Sequence, residues 1–280
     1  FDSFGMAFRY YDEVSVRPIT GTTRVIVEGV GADTVPTDDD NLVVRALRAG
    51  LDAVGAPQAG FEMRCVNRIP HGGGLGSSAS AVVAGLMLAR GLISDPEALD
   101  DDLVFARATD FEGHPDNVAP AVFGGATVAW TQADGAPRMA PMPVDAELPV
   151  SLLVPPETTR LSTEEARKVL PDSVPRADAL FNTSRAAVLM LALAGRPDLL
   201  MAGTEDRLHQ EYRRRVLPAS MAVMDSLRAQ GYPAVISGAG PTVLVLADMA
   251  PQMRLALERH GWTVLTPGID LAGARLLPTD

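Results

Sequence analysis

The stretch Pro70-His71-Gly72-Gly73-Gly74-Leu75-Gly76-Ser77-Ser78-Ala79-Ser80 decides the fold of this chain. Glycines let a backbone approach a ligand closely and turn its N–H groups toward that ligand. Two serines follow at the predicted start of a helix, whose N-terminus adds partial positive charge and unpaired N–H donors. The stretch therefore predicts a phosphate-binding loop, in which both serines can bind phosphate oxygens or a metal ion.

Local sequence leaves two other interpretations of this loop open. It could be a tight turn in which Ser77 caps the following helix. It could also bind a dinucleotide, because Gly72-x-Gly74-x-x-Ser77 nearly fits that fingerprint, although its third glycine is missing. A Walker A loop is excluded, because the chain contains no Gly-Lys-Ser/Thr and Lys168 is its only lysine.

Hydrophobic periodicity on both sides of the loop predicts an α+β protein. The predicted strands are 21–29, 60–69, 126–131, 150–154, 234–236, 242–247, 262–265 and 274–277. The predicted helices are 41–54, 77–91, 95–110, a proline-broken stretch over 162–228, and 251–260. The proline-rich segment 137–149 is the candidate boundary, and it predicts an N-terminal domain over 1–148 and a C-terminal domain over 149–280.

Composition limits the class of protein and its partners. The 280 residues are 47% hydrophobic and 21% charged, which favours globular domains with a buried core. The net charge of −11 disfavours nucleic acid and anionic membranes as partners. A single cysteine, Cys65, excludes an internal disulfide and a multi-cysteine zinc site. The single cysteine fits a reducing setting, and we expect a cytoplasmic protein. The apolar runs are shorter than the ~20 residues that span a bilayer.

The central stretch also carries a family signature. Its residues match Pro-x-x-x-Gly-Leu-Gly-Ser-Ser-Ala without departure, and the chain resembles the GHMP kinases in this motif. Four further segments resemble the homoserine kinase members of that family: 1–5, 112–120, 161–167 and 206–213. The segment 236–242 matches the third motif of the GHMP kinases as a whole. The resemblance implies a two-lobed GHMP kinase fold, with a ribosomal S5-like N-terminal lobe that binds ATP and a ferredoxin-like C-terminal lobe.

The resemblance implies ATP and Mg²⁺ as cofactors. The expected ATP-binding residues are Asn41, Pro70, Gly72, Gly73, Gly74, Leu75, Gly76, Ser77, Ser78, Ala79 and Ser80. Mg²⁺ prefers carboxylate and hydroxyl oxygens, which Glu112 and Ser78 would supply. Glu112 alone could equally be a surface carboxylate at a helix end, but His114, Asp116 and Asn117 beside it favour a functional site.

The resemblance also implies L-homoserine as the phosphoryl acceptor. The expected substrate-binding residues are Asp2, His114, Asp116, Thr163, Arg167, Arg213 and Gly238. An arginine fork matches a carboxylate at two points, and an aspartate can hold an ammonium group. The resemblance implies that Arg167 and Arg213 bind the substrate carboxylate, and Asp116 is expected to bind the ammonium. Arg213 has competitors in Arg214 and Arg215, because a run of arginines is usually a solvated surface.

Catalysis is expected to rest on Glu112, Asp2 and Asn117. Phosphoryl transfer depends mainly on positioning and charge stabilisation, so we expect Asp2 and Asn117 to orient the substrate hydroxyl without a strong base. An Asp2 or Asp116 base is the alternative mechanism. The other histidines, His71, His209 and His260, are expected to be structural or exposed.

Two other functions stay open, and two further properties are expected. The chain could be another GHMP small-molecule kinase, or a member of the family that binds a ligand without catalysis. We expect inhibition by L-threonine, because it shares the carboxylate, ammonium and hydroxyl of homoserine. The family resemblance also suggests a homodimer.

Overall fold

The computed structural model describes residues 2–156, 166 and 168–278. The strands are β1 Ser3–Met6, β2 Glu13–Ile19, β3 Arg24–Gly29, β4 Gly60–Asn67, β5 Ala126–Thr131, β6 Pro137–Met142, β7 Ser151–Val154, β8 Ala234–Ile236, β9 Val243–Val245 and β10 Thr263–Leu265. The helices are α1 Leu42–Ala53, α2 Ser77–Leu92, α3 Asp101–Glu112, α4 Val118–Phe123, α5 Arg176–Leu193, α6 Leu200–Gly203, α7 Gln210–Arg213, α8 Pro218–Ala229 and α9 Pro251–Arg259. Short 3₁₀ turns lie at Pro96–Leu99 and Pro197–Leu199.

Internal contacts divide the chain into two compact units. The first contains the described residues up to His71, Gly76–Pro141 and the segment from Asp270 onward, and the second contains Gly72–Leu75 and Met142–Ile269. The division after Pro141 falls within the proline-rich segment 137–149. The domain boundary after residue 148 stays a prediction.

The first unit contains two three-stranded sheets with helices packed on a shared core. One sheet has the order β1-β5-β6, and the other has the order β2-β4-β3. Strand β4 alternates as the sequence predicts: Phe61, Met63 and Cys65 are each 1% exposed. These side chains pack with the apolar faces of α1 and α2 in a single hydrophobic cluster. The glycine loop connects the end of β4 to the start of α2.

The second unit is a four-stranded antiparallel sheet with helices. Its strand order is β10-β7-β9-β8, and all three neighbouring pairs run antiparallel. In chain order the unit is β7, the helices α5 to α8, β8, β9, α9 and β10, which is the β-α-β-β-α-β arrangement of ferredoxin-like domains. Its core contains Leu153, Met221, Leu227 and Trp262. The ferredoxin-like lobe predicted for this part of the chain is confirmed.

Two predicted elements differ from the structure. The helix predicted over 95–110 is interrupted, because Asp100 accepts a hydrogen bond from Leu103 N and caps a new helix, α3. The strand predicted over 274–277 is wrong. Ala274 N donates one hydrogen bond to Ala121 O, but no sheet ladder forms there, and Leu277 is 69% exposed. The strands β1, β2 and β6 were not predicted: β1 has only four residues, and β2 and β6 contain proline, which cannot donate a hydrogen bond to a neighbouring strand.

Among the described helices, none is both long enough and apolar enough to cross a bilayer.

Candidate active site

The glycine loop turns tightly between β4 and α2. Gly72, Gly74 and Gly76 have φ angles of 65°, 76° and 71°, in the left-handed region that favours glycine. Gly76 is the N-cap of α2, and no side chain of the described residues caps the helix there. The interpretation in which Ser77 caps the helix is therefore wrong, because Ser77 is its first residue. The N–H groups of this first turn are arranged as anion-binding helix termini are.

A second glycine segment fixes the middle of the loop. Ser237 Oγ donates a hydrogen bond to Gly74 O over 2.8 Å, and Thr242 N donates to Gly73 O over 3.2 Å. A Cβ placed on Gly74 would lie 2.3 Å from Ser237 O, so only glycine fits there. Gly238 continues this turn with a φ of +55°. Gly73 and Gly74 therefore contact the segment 236–242, which lies more than 160 residues away in the sequence.

Ser78 and Glu112 meet at the helix terminus. Ser78 Oγ donates a hydrogen bond to Glu112 Oε1 over 2.5 Å. Ser78 lies in the first turn of α2, and Glu112 is the last residue of α3, before Gly113 at a φ of 73°. The structure thus brings together the carboxylate and hydroxyl predicted to hold Mg²⁺. Among the described residues, no cluster of three or more His, Cys, Asp or Glu side chains could hold a metal ion.

The segment after α3 holds a carboxylate in its ionised form. His114 Nδ1 lies 2.6 Å from Asp116 Oδ1, which also accepts hydrogen bonds from Asn117 N over 2.7 Å and Asn117 Nδ2 over 3.1 Å. Burial alone would raise the pKa of Asp116, but the hydrogen bond and charge of His114 and the Asn117 N–H bond lower it overall. Asp116 is therefore a stable anion, suited to binding a cation.

Asn117 lies close to the glycine loop, whereas Asp2 lies at a sheet end. A Cβ on Gly76 would lie 3.5 Å from Asn117 Oδ1, so this side chain faces the start of α2. Asp2 is exposed, and its Oδ1 accepts a hydrogen bond from Thr131 N over 3.2 Å. The described contacts do not join Asp2 to Asn117. Their shared role at the substrate hydroxyl stays a prediction.

Other predicted nucleotide-binding residues have structural contacts of their own. Asn41 is the N-cap of α1: its Oδ1 accepts from Val43 N over 3.0 Å, and its Nδ2 donates to Pro36 O over 2.8 Å. Ala79 is buried at 1% exposure, and Ser80 N donates to Gly76 O within the first turn of α2. Pro70 and Leu75 lie in the loop itself and are partly buried. Their contacts with ATP stay predictions.

Arg213 is separated from its neighbours by burial. Arg213 is 5% exposed, whereas Arg215 is exposed and Arg214 pairs with Glu211 and Asp225, each at 2.7 Å. The guanidinium of Arg213 donates from Nε to Ala166 O over 3.1 Å. Arg213 therefore does not belong to a solvated arginine surface. A buried guanidinium held by a backbone carbonyl is suited to bind an anion.

Two residues near Arg213 in the same segment were not predicted to belong to the site. His209, expected to be structural or exposed, has its Nδ1 2.7 Å from Arg213 Nη1. Asp206 accepts hydrogen bonds from the backbone N–H groups of Leu208, His209 and Gln210, and so fixes the start of α7. Both residues lie in the segment 206–213 with Arg213, and this proximity in the sequence could have indicated that they belong to the same site. The predicted substrate-binding residues Thr163 and Arg167 lie outside the described residues.

Comparisons with known proteins agree with this geometry. The family model described as GHMP kinases N terminal domain matches residues 41–125, and the one described as GHMP kinases C terminal matches residues 188–261. A homoserine kinase of Streptomyces avermitilis is 46% identical over 280 residues, covering 99% of this chain and 91% of that protein. A homoserine kinase of Clavibacter michiganensis is 45% identical over 288 residues, covering 100% of this chain and 90% of that protein.

A solved structure shares the fold. The crystal structure of homoserine kinase from Cytophaga hutchinsonii superimposes with a TM-score of 0.78 at 23% identity, covering 94% of this chain and 87% of that one. The predicted two-lobed α+β fold is thereby confirmed, and the dinucleotide-binding interpretation of the glycine loop is wrong. The chain belongs to the GHMP kinase family.

Proposed function

We propose that this chain is a homoserine kinase. It transfers the terminal phosphoryl group of ATP to the side-chain hydroxyl of L-homoserine, giving ADP and O-phospho-L-homoserine for threonine synthesis. The observation that carries the proposal is the similarity to curated homoserine kinases, 46% and 45% identical over 99% and 100% of this chain. The enzyme is thus an ATP-dependent small-molecule kinase.

The glycine loop is the expected site of the ATP phosphates. Phosphoryl transfer requires that spread negative charge be stabilised by fixed donors. The N–H groups at the start of α2 lie beside glycines that present no side chain to a ligand. The chain can therefore bind phosphate through backbone groups, although Lys168 is its only lysine.

Ser78 and Glu112 fit a magnesium ion that travels with the nucleotide. Mg²⁺ takes one or two carboxylates together with substrate phosphates and water, and it needs no larger cluster of protein ligands. The hydroxyl and carboxylate of this pair already lie 2.5 Å apart. The ion would neutralise charge on the phosphates. Glu112 would supply the negative charge of the site and Ser78 a neutral oxygen.

Homoserine carries a carboxylate and an ammonium group, and the chain offers a residue for each. Arg213, buried and permanently charged, suits the carboxylate, with Arg167 as its predicted partner. Asp116, whose pKa is lowered, suits the ammonium. His114 and Thr163 would contact the same substrate. Gly238, in the second glycine segment, would lie near it. Neither mevalonate nor galactose has an ammonium, so these residues favour an amino-acid substrate.

The hydroxyl of homoserine would be oriented without a strong base. A carboxylate of low pKa accepts a proton weakly, so the same contacts that suit Asp116 to an ammonium disfavour it as the base. We therefore assign the orientation of the hydroxyl to Asn117 and Asp2. The proton would pass to the phosphate or to solvent. A base role for Asp2 is the alternative.

Two properties of the enzyme belong to this proposal. L-threonine would compete with homoserine, because it presents the same carboxylate and ammonium. A homodimer in the cytoplasm would be the working form. The alternative functions, another GHMP small-molecule kinase or a non-catalytic member of the family, lack a feature that favours them over homoserine phosphorylation.

Arg213 and Arg214 provide a matched test of the proposed substrate site. Arg213→Lys keeps the charge but loses the planar fork, so the KM for homoserine should rise about tenfold or more. Arg214→Lys changes a surface ion pair and should leave that KM within about twofold. The KM for ATP should stay constant in both variants. Equal KM values for homoserine in the two variants would overturn the assignment of Arg213.

A further inference from the structure

The guanidinium of Arg213 contacts His209, which lies four residues earlier in the chain. Arg213 Nη1 lies 2.7 Å from His209 Nδ1, and Arg213 Nε donates to Ala166 O over 3.1 Å. A guanidinium is long and rotatable, and fixing it in advance lowers the entropy lost when a ligand binds. These contacts hold two of its three nitrogens.

The contact defines the protonation state of His209. An arginine only donates hydrogen bonds, so the facing Nδ1 must accept one and cannot carry a proton. The ring is then neutral, with its proton on Nε2. That nitrogen lies 3.6 Å from Asp206 Oδ1, beyond hydrogen-bond distance, and the negative charge of the carboxylate favours the tautomer with its proton on Nε2.

Asp206 fixes the backbone that presents the histidine. Its side chain is 7% exposed. Oδ1 accepts from Leu208 N over 3.0 Å, and Oδ2 accepts from His209 N over 3.0 Å and Gln210 N over 2.7 Å. Asn182 Nδ2 donates to Oδ1 over 2.8 Å. The backbone of His209 is therefore held by a buried carboxylate rather than by a mobile loop.

From these contacts we propose that His209 is a positioning residue, which in its neutral form holds the guanidinium of Arg213 ready for the substrate carboxylate. The inference rests on the proposed function, because it requires Arg213 to bind homoserine. It adds a residue that touches neither ATP nor homoserine. It also makes substrate affinity depend on the protonation of this one ring.

Protonation would break the arrangement. A second proton at Nδ1 would place an N–H against the N–H of Arg213, with two positive charges at hydrogen-bond distance. Among the described residues, the charged groups acting on His209 are Asp206 and Arg213. Burial has the largest effect and lowers the pKa of His209; the charge of Asp206 opposes it, and the charge of Arg213 has a smaller effect that lowers the pKa further. The neutral form therefore persists to a pH below the ordinary histidine pKa of about 6.5.

Two variants at one position separate positioning from simple packing. His209→Asn places an amide oxygen near the position of Nδ1, so it accepts from Arg213 but does not titrate. His209→Leu removes the acceptor. We expect the wild-type KM for homoserine to rise as the pH falls below about 6.5, while the carboxylate of homoserine stays ionised. His209→Asn should stay near the wild-type KM measured at about pH 8 across the whole range. His209→Leu should show a KM raised about tenfold at every pH, with kcat little changed.

His260 provides the matched control. The hydrogen bond of this exposed histidine joins its Nδ1 to Ala256 O of its own helix, and His260→Asn should keep the wild-type pH profile. The ¹⁵N NMR shifts of the His209 ring give a readout independent of activity. They should show Nδ1 unprotonated and Nε2 protonated at about pH 8, where the ring is neutral.

The results for wild type and His209→Asn separate a failure of the role of His209 from a failure of the proposed homoserine kinase activity. Turnover of homoserine with the same pH dependence of KM in wild type and His209→Asn would overturn the inference alone. A protonated Nδ1 in the neutral ring would do the same. No turnover of homoserine by the wild type at about pH 8 would overturn the proposed function, and the inference with it.

Discussion

Ser78 Oγ donates a hydrogen bond to Glu112 Oε1 over 2.5 Å, across 34 residues of sequence. The contact joins the first turn of α2 to the last residue of α3. An oxygen pair at a helix N-terminus combines a hydroxyl, a carboxylate and nearby N–H donors in one place. That combination suits a magnesium ion bound together with phosphate oxygens.

The charge of Glu112 is the first testable feature. Glu112→Gln keeps the size of the side chain and its contact with Ser78 but removes a negative charge from the proposed metal site. We expect kcat to fall at least about 100-fold, or ~2.7 kcal/mol of transition-state stabilisation, with a higher Mg²⁺ concentration needed for half-maximal rate. Steady-state kinetics over a Mg²⁺ titration measure both quantities.

Asp110 provides the control for this variant. It lies two residues earlier on α3, is exposed, and pairs with Arg107 on the surface. Asp110→Asn removes the same charge from the same helix and should leave kcat within about twofold, as expected for a surface pair. Near-normal turnover of Glu112→Gln at saturating Mg²⁺ would contradict the proposed metal site.

The tight packing of Gly74 predicts a loss of nucleotide binding. Gly74→Ala would place a Cβ 2.3 Å from Ser237 O, at a φ of +76°. We expect the loop to shift and ATP affinity to fall at least about tenfold, because the N–H groups would leave their positions. Gly55→Ala is the control, since Gly55 has a φ of +66° with no neighbouring atom within 4 Å of its Cβ. Calorimetric ATP affinities that are equal in the two variants would contradict the role of the loop.

Cys65 should be chemically silent in the folded protein. The side chain is 1% exposed on β4, and burial, with a smaller effect of the Asp12 charge, raises its pKa to about 11. The thiolate is the reactive form, so the folded protein should not react with a thiol reagent at about pH 8. Unfolding in guanidinium should expose one reactive thiol per chain, since Cys65 is the only cysteine. Rapid labelling of the native protein would show that the core of the first unit opens readily.

Inhibition by L-threonine should be competitive with homoserine and not with ATP. Threonine has the carboxylate and ammonium that Arg213 and Asp116 are proposed to bind, and it leaves neither residue unpaired. Its hydroxyl is set back by one carbon, so its phosphorylation should be slow or absent. Initial rates at fixed ATP and varied homoserine test the pattern. Noncompetitive inhibition against homoserine would instead indicate a separate threonine site.

The glycine loop shows how far local sequence determines local structure. Strand β4 and helix α2 lie where alternation and helical spacing predict them, because Phe61, Met63 and Cys65 all face the core. The helix predicted at Ser77 begins there, but its cap is Gly76. The strand predicted over 274–277 failed because periodicity alone does not show whether a neighbouring strand is available to pair.

The contacts within the candidate site could not be predicted from the sequence alone. The types of residue expected at the metal site were evident in the sequence, and the contact of Ser78 with Glu112 came from the packing of α2 and α3. The contacts of Asn41 are those of a helix cap, which a resemblance cannot distinguish from a ligand contact. His209 was overlooked because a lone histidine is uninformative until Arg213 is placed beside it.

The most direct test of the central claim is a coupled assay of ADP release with a panel of phosphoryl acceptors. Purified protein with Mg²⁺ and ATP would be given L-homoserine, mevalonate, galactose or shikimate, and ³¹P NMR would identify any phosphorylated product. We predict rapid ADP release with L-homoserine alone and formation of O-phospho-L-homoserine. Turnover of another acceptor in preference to homoserine, or binding of homoserine without any ADP release, would contradict the proposed function.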